Sequence, residues 1–285
     1  MIKFKKKSCV KLSTLILVII SMCLTSASTS WSKVEHQKDP KIKTIRQKPN
    51  RTNLKWDIKV KESVYKKQLE MLKQSNIPID NDKQMVARLN KILDNLKTNA
   101  LIPDLPYEVH LVDHKTVNAV CYPGGGILFF KGIFDSKEGL INPKDNDEIA
   151  AVMGHEMAHA TLRHAYKKQQ KANTIGFLGS VASVAVGAGA GADASDLFDL
   201  AYNVGTGLYF PSYSRKQESE ADLEGLFTLI GAGYNPDKTI SLWERAATKS
   251  KSSDKTSVFS SHPADGKRAE DLKIHLNNIK QQKTS

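Results

Sequence analysis

Three residues in one short stretch could together bind a metal ion and use it. His155, Glu156 and His159 lie within DNDEIAAVMGHEMAHATLRHA, residues 145–165. Residues four apart in a helix lie one turn apart on the same face, so both histidines can reach one ion. Glu156 lies beside them, close enough to deprotonate a metal-bound water without becoming a ligand. The HExxH spelling therefore predicts a catalytic zinc site. The alternative is that the three polar residues lie on a solvated helix face.

The residues around the motif favour the metal site. Both flanks, IAAVMG and MAHA, are apolar or small, which predicts a mostly buried helix. A buried His–Glu–His set is costly unless its polar atoms are compensated, and a cation removes that cost. Asp145 as N-cap, with Glu148 three residues later, predicts a capping box at the helix start.

A catalytic zinc ion of this kind takes three protein ligands and keeps its fourth position open. The stretch SRKQESEADLEGL offers four acidic residues for the third ligand: Glu218, Glu220, Asp222 and Glu224. Glu218 and Asp222 are four apart and share one helix face, with Gly225 next along it. That face could supply Glu218 as ligand and Asp222 as hydrogen-bond partner of a ligand histidine, while Gly225 permits close helix approach. The alternative is a charged, solvated helix start.

The apolar pattern predicts the elements that position these residues. Helical spacing runs through 61–99, and strand-like stretches follow at 107–114 and 125–134. Further helices are predicted around the acidic stretch and around 238–249. We therefore expect a mostly helical α+β domain with a small antiparallel sheet. Strand 125–131 is expected to present an edge along which an extended peptide could bind.

The N-terminal region predicts export. Residues 1–27 combine a lysine-rich start, a short apolar run and small residues, which indicates a secretory signal cleaved near Ala27. The segment could instead persist as an anchor, or Cys23 could carry a lipid. The polar, basic residues 28–60 predict a linker. The folded domain that carries the zinc site is then expected to occupy 61–285.

Charge is concentrated near the N-terminus. The chain has 285 residues and a net charge of +12, and residues 1–100 contain 22 Lys+Arg against 8 Asp+Glu. A basic arm could attach peripherally to an anionic membrane, whereas the absence of any nucleic-acid motif argues against nucleic acid as a partner. The uncharged, Gly/Ala-rich stretch 172–192 is interpreted as a small-residue helix near the active site or a flap rather than a membrane span. Cys121, the one cysteine beyond the signal, is expected to be a buried small side chain.

Four motifs occur in a defined order between about residues 60 and 275: NAVCYPGG, HEMAH, SRKQESEAD and SSHPADGKR. In this order they resemble the zinc metallopeptidase family of the CAAX prenyl protease and of bacterial periplasmic peptidases of outer-membrane quality control. The chain looks like a compact exported member of that family without C-terminal repeats. The resemblance implies a zincin-like domain with one Zn²⁺ per chain.

The resemblance also implies roles for individual residues. Zinc would be bound by His155, His159 and Glu218, with Glu156 as general base and Asp222 contacting a ligand. His262, with Arg268 nearby, would lie over the metal and either stabilise the oxyanion or cap the zinc in a latent state. Substrate binding would involve Asn118, Gly124 and Gly125. We interpret four further polar residues as having no part in the site: His110, His114, His164 and Glu220.

The predicted function is a zinc-dependent endopeptidase in which Glu156 activates the zinc-bound water. Its expected substrates are unfolded or misassembled cell-envelope proteins, and its expected location is the bacterial periplasm, free or membrane-associated. Two alternatives stay open. The chain could be a latent, zinc-bound, chaperone-like binding module for outer-membrane proteins, or a membrane-associated protease.

Overall fold

A three-stranded sheet and the helix that follows it form the centre of the domain. The computed structural model describes residues 46, 48–171, 213–252, 262 and 266–283. The strands are β1 (Glu108–Val112), β2 (Ala119–Cys121) and β3 (Gly126–Phe130). The helices are α1 (Leu54–Val60), α2 (Lys66–Gln74), α3 (Lys83–Lys97), α4 (Asn146–Thr161), α5 (Arg215–Gly231), α6 (Asp237–Ser252) and α7 (Gly266–Lys283). A π-helical turn, Lys61–Tyr65, joins α1 to α2, and a 3₁₀ turn, Lys131–Phe134, follows β3.

The sheet is mixed, with strand order β1-β3-β2. β2 and β3 form an antiparallel hairpin, whereas β1 pairs with the other edge of β3 in parallel. The predicted α+β class is confirmed, but the prediction of an antiparallel sheet is wrong. After the hairpin turn, β3 lies between β1 and β2. It runs antiparallel to β2 and parallel to β1. The expectation that strand 125–131 forms an edge is wrong for the same reason, because β3 is central and β2 is an edge strand.

β3 is buried on both faces because it lies between two hydrophobic clusters. Ile127 and Phe129 belong to the larger cluster, with residues of α3 and α4. Leu128 belongs to the smaller one, with Tyr65 and Leu72. Alternate residues of a strand point to opposite faces, so one all-apolar strand supplies both clusters. The larger cluster fixes α4 against the sheet.

Helix α3 has the helical apolar face that the sequence predicts. Its buried residues are Leu89, Ile92, Leu93 and Leu96. Asp82 caps the helix by accepting a hydrogen bond from Met85 N at 3.0 Å. The cap and the apolar face together orient α3 along the sheet and α4.

The folded unit begins earlier than the predicted boundary at residue 61. It extends from Arg46, and α1 lies within the segment predicted as linker. Asp57 of α1 is buried and bonds to Arg163 just beyond α4, at 2.6 and 3.0 Å. The predicted signal, its cleavage and lipidation sites, and the Gly/Ala-rich stretch 172–192 lie outside the described residues. Among the helices that are described, none is long and apolar enough to cross a membrane.

Candidate metal centre

Helix α4 carries the HExxH motif and is almost wholly buried. Asp145 caps it, accepting hydrogen bonds from Asp147 N at 3.0 Å and Glu148 N at 3.3 Å. The reciprocal half of the predicted capping box is absent, because the Glu148 side chain accepts instead from Asn142 N at 2.8 Å. Glu148 also pairs with Arg245 at 2.8 Å. The start of α4 is therefore fixed both by its cap and by the neighbouring helix α6.

Helix α5 brings the acidic residues to α4. Ser214 caps it in a complete capping box with Gln217. The two helices approach closely at Gly225, where an added Cβ would lie 3.0 Å from His155 N and 3.1 Å from Gly154 C. The predicted role of Gly225 in close helix approach is confirmed. This contact places the Glu218 and Asp222 face of α5 against the histidines of α4.

Four buried side chains form a donor cluster. One ligand atom from each of His155, His159, Glu218 and His262 lies within 4.8 Å of the other three. The Nε2 atoms of His155 and His159 are 3.1 Å apart, and Glu218 oxygens lie 3.4 and 3.6 Å from them. His262 Nδ1 lies 3.1 Å from Glu218 Oε1. The structure thus brings the three predicted ligands together and adds a fourth donor.

The donor cluster fits a zinc ion. Imidazole nitrogens and a carboxylate are ordinary zinc ligands, and four of them make a tetrahedral set. The two facing Nε2 atoms can share at most one proton, whereas a cation satisfies the lone pairs of both. His155 Nδ1 is buried without an aligned hydrogen bond but lies 2.9 Å from Asp222 Oδ1. Metal binding at Nε2 places the proton on Nδ1, where that carboxylate can accept it.

Charges within the cluster shift the pKa values in opposite directions. Burial lowers the pKa of His155, but the Asp222 and Glu218 carboxylates outweigh burial and raise it to about 9. Burial and the positive charge on His155 lower the pKa of His159 well below its usual value. Burial would raise the pKa of Glu218, yet the electrostatic interaction with His262 and the contacts with His155 hold that pKa far below the usual range. Zinc binding requires an ionised Glu218 and two neutral ligand histidines, so a cation would also have to displace the proton that the carboxylates hold on His155.

Glu156 lies beside the donor cluster but is not part of it. Its Oε2 accepts a hydrogen bond from Cys121 N of β2 at 3.2 Å, and its Oε1 lies 3.3 Å from His262 Nε2. Burial raises the pKa of Glu156. A carboxylate with a raised pKa, held next to a metal site without filling it, suits a general base.

Asp222 and Arg268 lie outside the donor cluster and contact its members His155 and Glu218. Arg268 binds Asp222 through two hydrogen bonds of 2.7 Å, and its Nη1 lies 3.0 Å from Glu218 Oε2. The guanidinium lies 3.9 Å from the centre of the Trp243 ring. Arg268 was expected to lie near His262. Both side chains contact the Glu218 carboxylate, which therefore lies between them.

Asn118, Gly124 and Gly125 shape the strands next to the site. The Asn118 side chain accepts from Ala119 N at 2.9 Å. Gly124 and Gly125 have φ values of 83° and 87°, which favour glycine. An added Cβ would meet Asp57 O at 2.7 Å at Gly124, and Tyr107 at 2.8 Å at Gly125. These contacts explain the Gly-Gly pair by packing, and substrate binding by the three residues stays a prediction.

His164, and through it Glu220, lies next to the ligand candidate His159, although the sequence pattern predicts no part in the site for either residue. His164 Nδ1 lies 2.8 Å from His159 Nδ1, and its Nε2 lies 3.2 Å from Glu220 Oε2. Burial lowers the pKa of His164 to about 4. Tyr213 was also missed, and its ring stacks on His159 with 3.7 Å between centroids. Sequence spacing gave no signal for these contacts, because the chain turns after α4.

Comparison with known proteins places these features in a family. The model of "Peptidase family M48" matches residues 83–275. The chain is 32% identical over 181 residues to the mitochondrial metalloendopeptidase OMA1 of Schizosaccharomyces pombe, covering 63% of this chain and 50% of that protein. It is 29% identical over 194 residues to metalloprotease LoiP of Escherichia coli K12, covering 68% and 71% respectively.

A third relative is larger. The beta-barrel assembly-enhancing protease of Escherichia coli K12 is 24% identical over 211 residues, covering 73% of this chain and 42% of that protein. The chain thus spans about half the length of the Schizosaccharomyces pombe protein and 42% of the beta-barrel assembly-enhancing protease.

Proposed function

The chain belongs to peptidase family M48, and from that premise we propose that it is a zinc-dependent endopeptidase. The observation that carries the proposal is the position of Glu156. It lies beside the cluster of His155, His159, Glu218 and His262 without belonging to it. A site built only to store or sense a metal has no need of a buried carboxylate in that position. A hydrolase needs it as a general base.

Each residue then has a defined task. His155, His159 and Glu218 would hold one Zn²⁺, which supplies Lewis acidity and lowers the pKa of water to near 7. Glu156 accepts the proton of the attacking water at one carboxylate oxygen and delivers it to the leaving amine. The Cys121 amide orients the other oxygen at 3.2 Å. His262, 3.3 Å from Glu156, can donate a hydrogen bond to the oxyanion that develops on the peptide carbonyl.

The substrate would lie along β2. Among the strands that the structure describes, β2 is at the edge of the sheet, and its Cys121 amide donates a hydrogen bond to Glu156. An extended peptide can bind to a sheet edge through its backbone, which favours unfolded chains over one fixed sequence. We therefore propose unfolded or misassembled cell-envelope proteins as substrates. The predicted export signal supports this class, as does the similarity to a protein named for beta-barrel assembly. A folded envelope protein cut as fast as its denatured form would contradict the proposal.

The proposed location is the periplasm of a bacterium. The lysine-rich start and apolar run of residues 1–27 support export, and the basic residues that follow support peripheral membrane association. Membrane attachment could come from these basic residues or from a lipid on Cys23. Fractionation of cells that express the full chain or a Cys23→Ala variant distinguishes the two. Loss of membrane association only in Cys23→Ala would establish a lipid anchor, and release of both by high salt would establish attachment by charge.

A second candidate function rests on His262. Its Nδ1 belongs to the donor cluster and lies 3.4 Å from His155 Nε2, so this ring could fill the fourth position on zinc. The protein would then be a latent, chaperone-like binding module whose cleavage is blocked. Replacement of His262 separates the two functions, because a blocked enzyme gains activity when the blocking ligand is removed.

The first experiment measures zinc content and casein cleavage together in the protein without residues 1–27. Glu156→Gln removes the base and keeps the side-chain shape, and Glu244→Gln on the surface of α6 is the matched control. We expect one zinc in all three proteins and cleavage in the unchanged protein and the control only. Zinc in all three with cleavage in none would favour the binding module. Cleavage by Glu156→Gln at the original rate would refute the proposed mechanism.

A further inference from the structure

The two nitrogens of His159 face different surroundings. Nε2 points into the donor cluster, 3.1 Å from His155 Nε2. Nδ1 points away from it and lies 2.8 Å from Nδ1 of His164. An imidazole that binds a metal through Nε2 carries its proton on Nδ1 and must donate it. His164 is the acceptor at that position.

His164 can accept only as one tautomer, and Glu220 selects that tautomer. When Nδ1 accepts, the proton of neutral His164 is on Nε2. Nε2 lies 3.2 Å from Glu220 Oε2, which accepts it. His159, His164 and Glu220 thus form a chain of two hydrogen bonds in which each donor has an acceptor. We call this set the histidine chain.

We propose that His164 is a positioning residue for the metal ligand His159, and that Glu220 holds His164 in the tautomer this task requires. The inference rests on the proposed zinc centre and adds a second outer support to it. The two ligand histidines differ in this respect. His155 faces the carboxylate of Asp222 directly, whereas His159 reaches a carboxylate through another imidazole.

The turn that places His164 is unusual. Helix α4 ends at Thr161, and Arg163 follows in the left-handed conformation with φ 59°, which glycine usually occupies at this position. Arg163 is nevertheless buried, and it bonds to Asp57 and to the carbonyls of Thr52 and Asn53. A strained residue held by such contacts points to a task for the local geometry. Here the turn begins a new helical segment, 164–171, whose first residue lies against His159.

The ring of His159 is also held from its face. Tyr213 stacks on it with an interplanar angle of 17° and a centroid distance of 3.7 Å. Stacking restrains the plane of the ring. The bond to His164 fixes the direction in which Nδ1 points. Both contacts together therefore aim Nε2 at the donor cluster.

The test measures zinc affinity by competition with a chromogenic chelator, and the absorption spectrum of the Co²⁺ form. His164→Phe keeps a ring and removes the acceptor, whereas His164→Asn offers an amide oxygen near the position of Nδ1. Glu220→Gln removes the carboxylate. The matched control is His110→Phe. His110 is a half-buried histidine outside the donor cluster, and its Nδ1 lies 2.5 Å from Asp80 Oδ2. Thermal melting of each zinc-free variant reports folding separately.

We expect His164→Phe to weaken zinc binding about 10- to 100-fold, the range seen when an outer partner of a ligand histidine is lost. His164→Asn should recover most of that loss, and Glu220→Gln should show a smaller loss together with an altered Co²⁺ spectrum. His110→Phe should bind zinc like the unchanged protein even where it melts earlier.

Unchanged zinc affinity and Co²⁺ spectrum in His164→Phe would overturn the inference. So would an equal loss in His110→Phe, because the loss would then follow general destabilisation. If His164→Phe does not fold, the other two variants provide the test. Unchanged zinc affinity and Co²⁺ spectrum in Glu220→Gln would refute the histidine chain, and so would a loss of zinc affinity in His164→Asn as large as that expected for His164→Phe. An unchanged protein that binds no zinc refutes the proposed metal centre itself, which separates the two failures.

Discussion

Arg268 holds the carboxylate of Asp222 through two hydrogen bonds of 2.7 Å each. The same carboxylate lies 2.9 Å from His155 Nδ1, and the guanidinium lies 3.9 Å from the centre of the Trp243 ring. A fork of two parallel bonds fixes the carboxylate in direction as well as position. The orientation of His155 therefore depends on contacts among α5, α6 and α7, although the histidine is on α4.

Loss of the Asp222 charge should weaken the metal centre without abolishing the fold. Asp222→Asn removes the anion that accepts the Nδ1 proton of His155, and we expect zinc affinity to fall about 10- to 100-fold. Chelator competition measures the change. Asp271→Asn on α7, which removes an exposed ion pair with Lys267, is the control and should bind zinc normally. Equal affinities of the two variants would contradict the role of Asp222.

Replacement of His262 distinguishes the two candidate functions. If His262 donates to the oxyanion, His262→Ala should lower kcat for peptide cleavage about 10²- to 10³-fold while His155, His159 and Glu218 retain zinc. If His262 blocks the metal, the same variant should cleave faster than the unchanged protein. Steady-state cleavage of a quenched fluorescent peptide gives the answer, with zinc content measured on the same sample.

Gly225 and Gly154 face each other where α4 and α5 touch, yet they should tolerate alanine differently. A Cβ at Gly225 would lie 3.0 Å from His155 N, whereas a Cβ at Gly154 would lie 3.4 Å from Gly225 O, an ordinary contact. We expect Gly225→Ala to cost about 1–3 kcal/mol of folding free energy through overpacking. Gly154→Ala should be near neutral or gain up to about 1 kcal/mol from helix propensity. Denaturant unfolding measures both, and equal stability of the two variants would refute the packing argument.

The cap of α4 should contribute stability with a defined pH dependence. Burial would raise the pKa of Asp145, but its hydrogen bonds with Lys238 and the first-turn amides hold it below 3.8. A lowered pKa means that the contribution is fully present above pH 3.8 and is lost as the pH falls through the folded-state pKa. Asp145→Ala should cost about 1 kcal/mol at pH 7 and less in acid.

Asp145→Asn is the matched variant for that measurement. Asparagine caps helices as well as aspartate does but carries no charge. It should keep most of the stability at pH 7 and lose the dependence that the unchanged protein shows below about pH 4, because the folded-state pKa of Asp145 lies below the usual aspartate value. Urea unfolding at several pH values tests this. A pH profile of Asp145→Asn identical to that of the unchanged protein would assign the dependence to other carboxyl groups.

The sequence by itself determined the parts of this protein that depend on local periodicity. Residues four apart fix His155 with His159 on one helix face and Glu218 with Asp222 on another, whatever the rest of the chain does. The small residue Gly225 marked where the two faces could meet. The mostly helical α+β class followed from the same apolar spacing, because the helical period is read within a few turns.

Tertiary structure decided which residues far apart in the chain meet at these faces. The order of the strands depends on how the hairpin turns back, so the sequence could not identify β2 as the edge beside Glu156. The contact of His164 with His159 depends on the left-handed turn at Arg163, which is held by residues more than 100 positions away in α1 and the segment before it. Non-local contacts of this kind leave no period in the sequence. They arise because buried polar groups must find partners once the helices have packed.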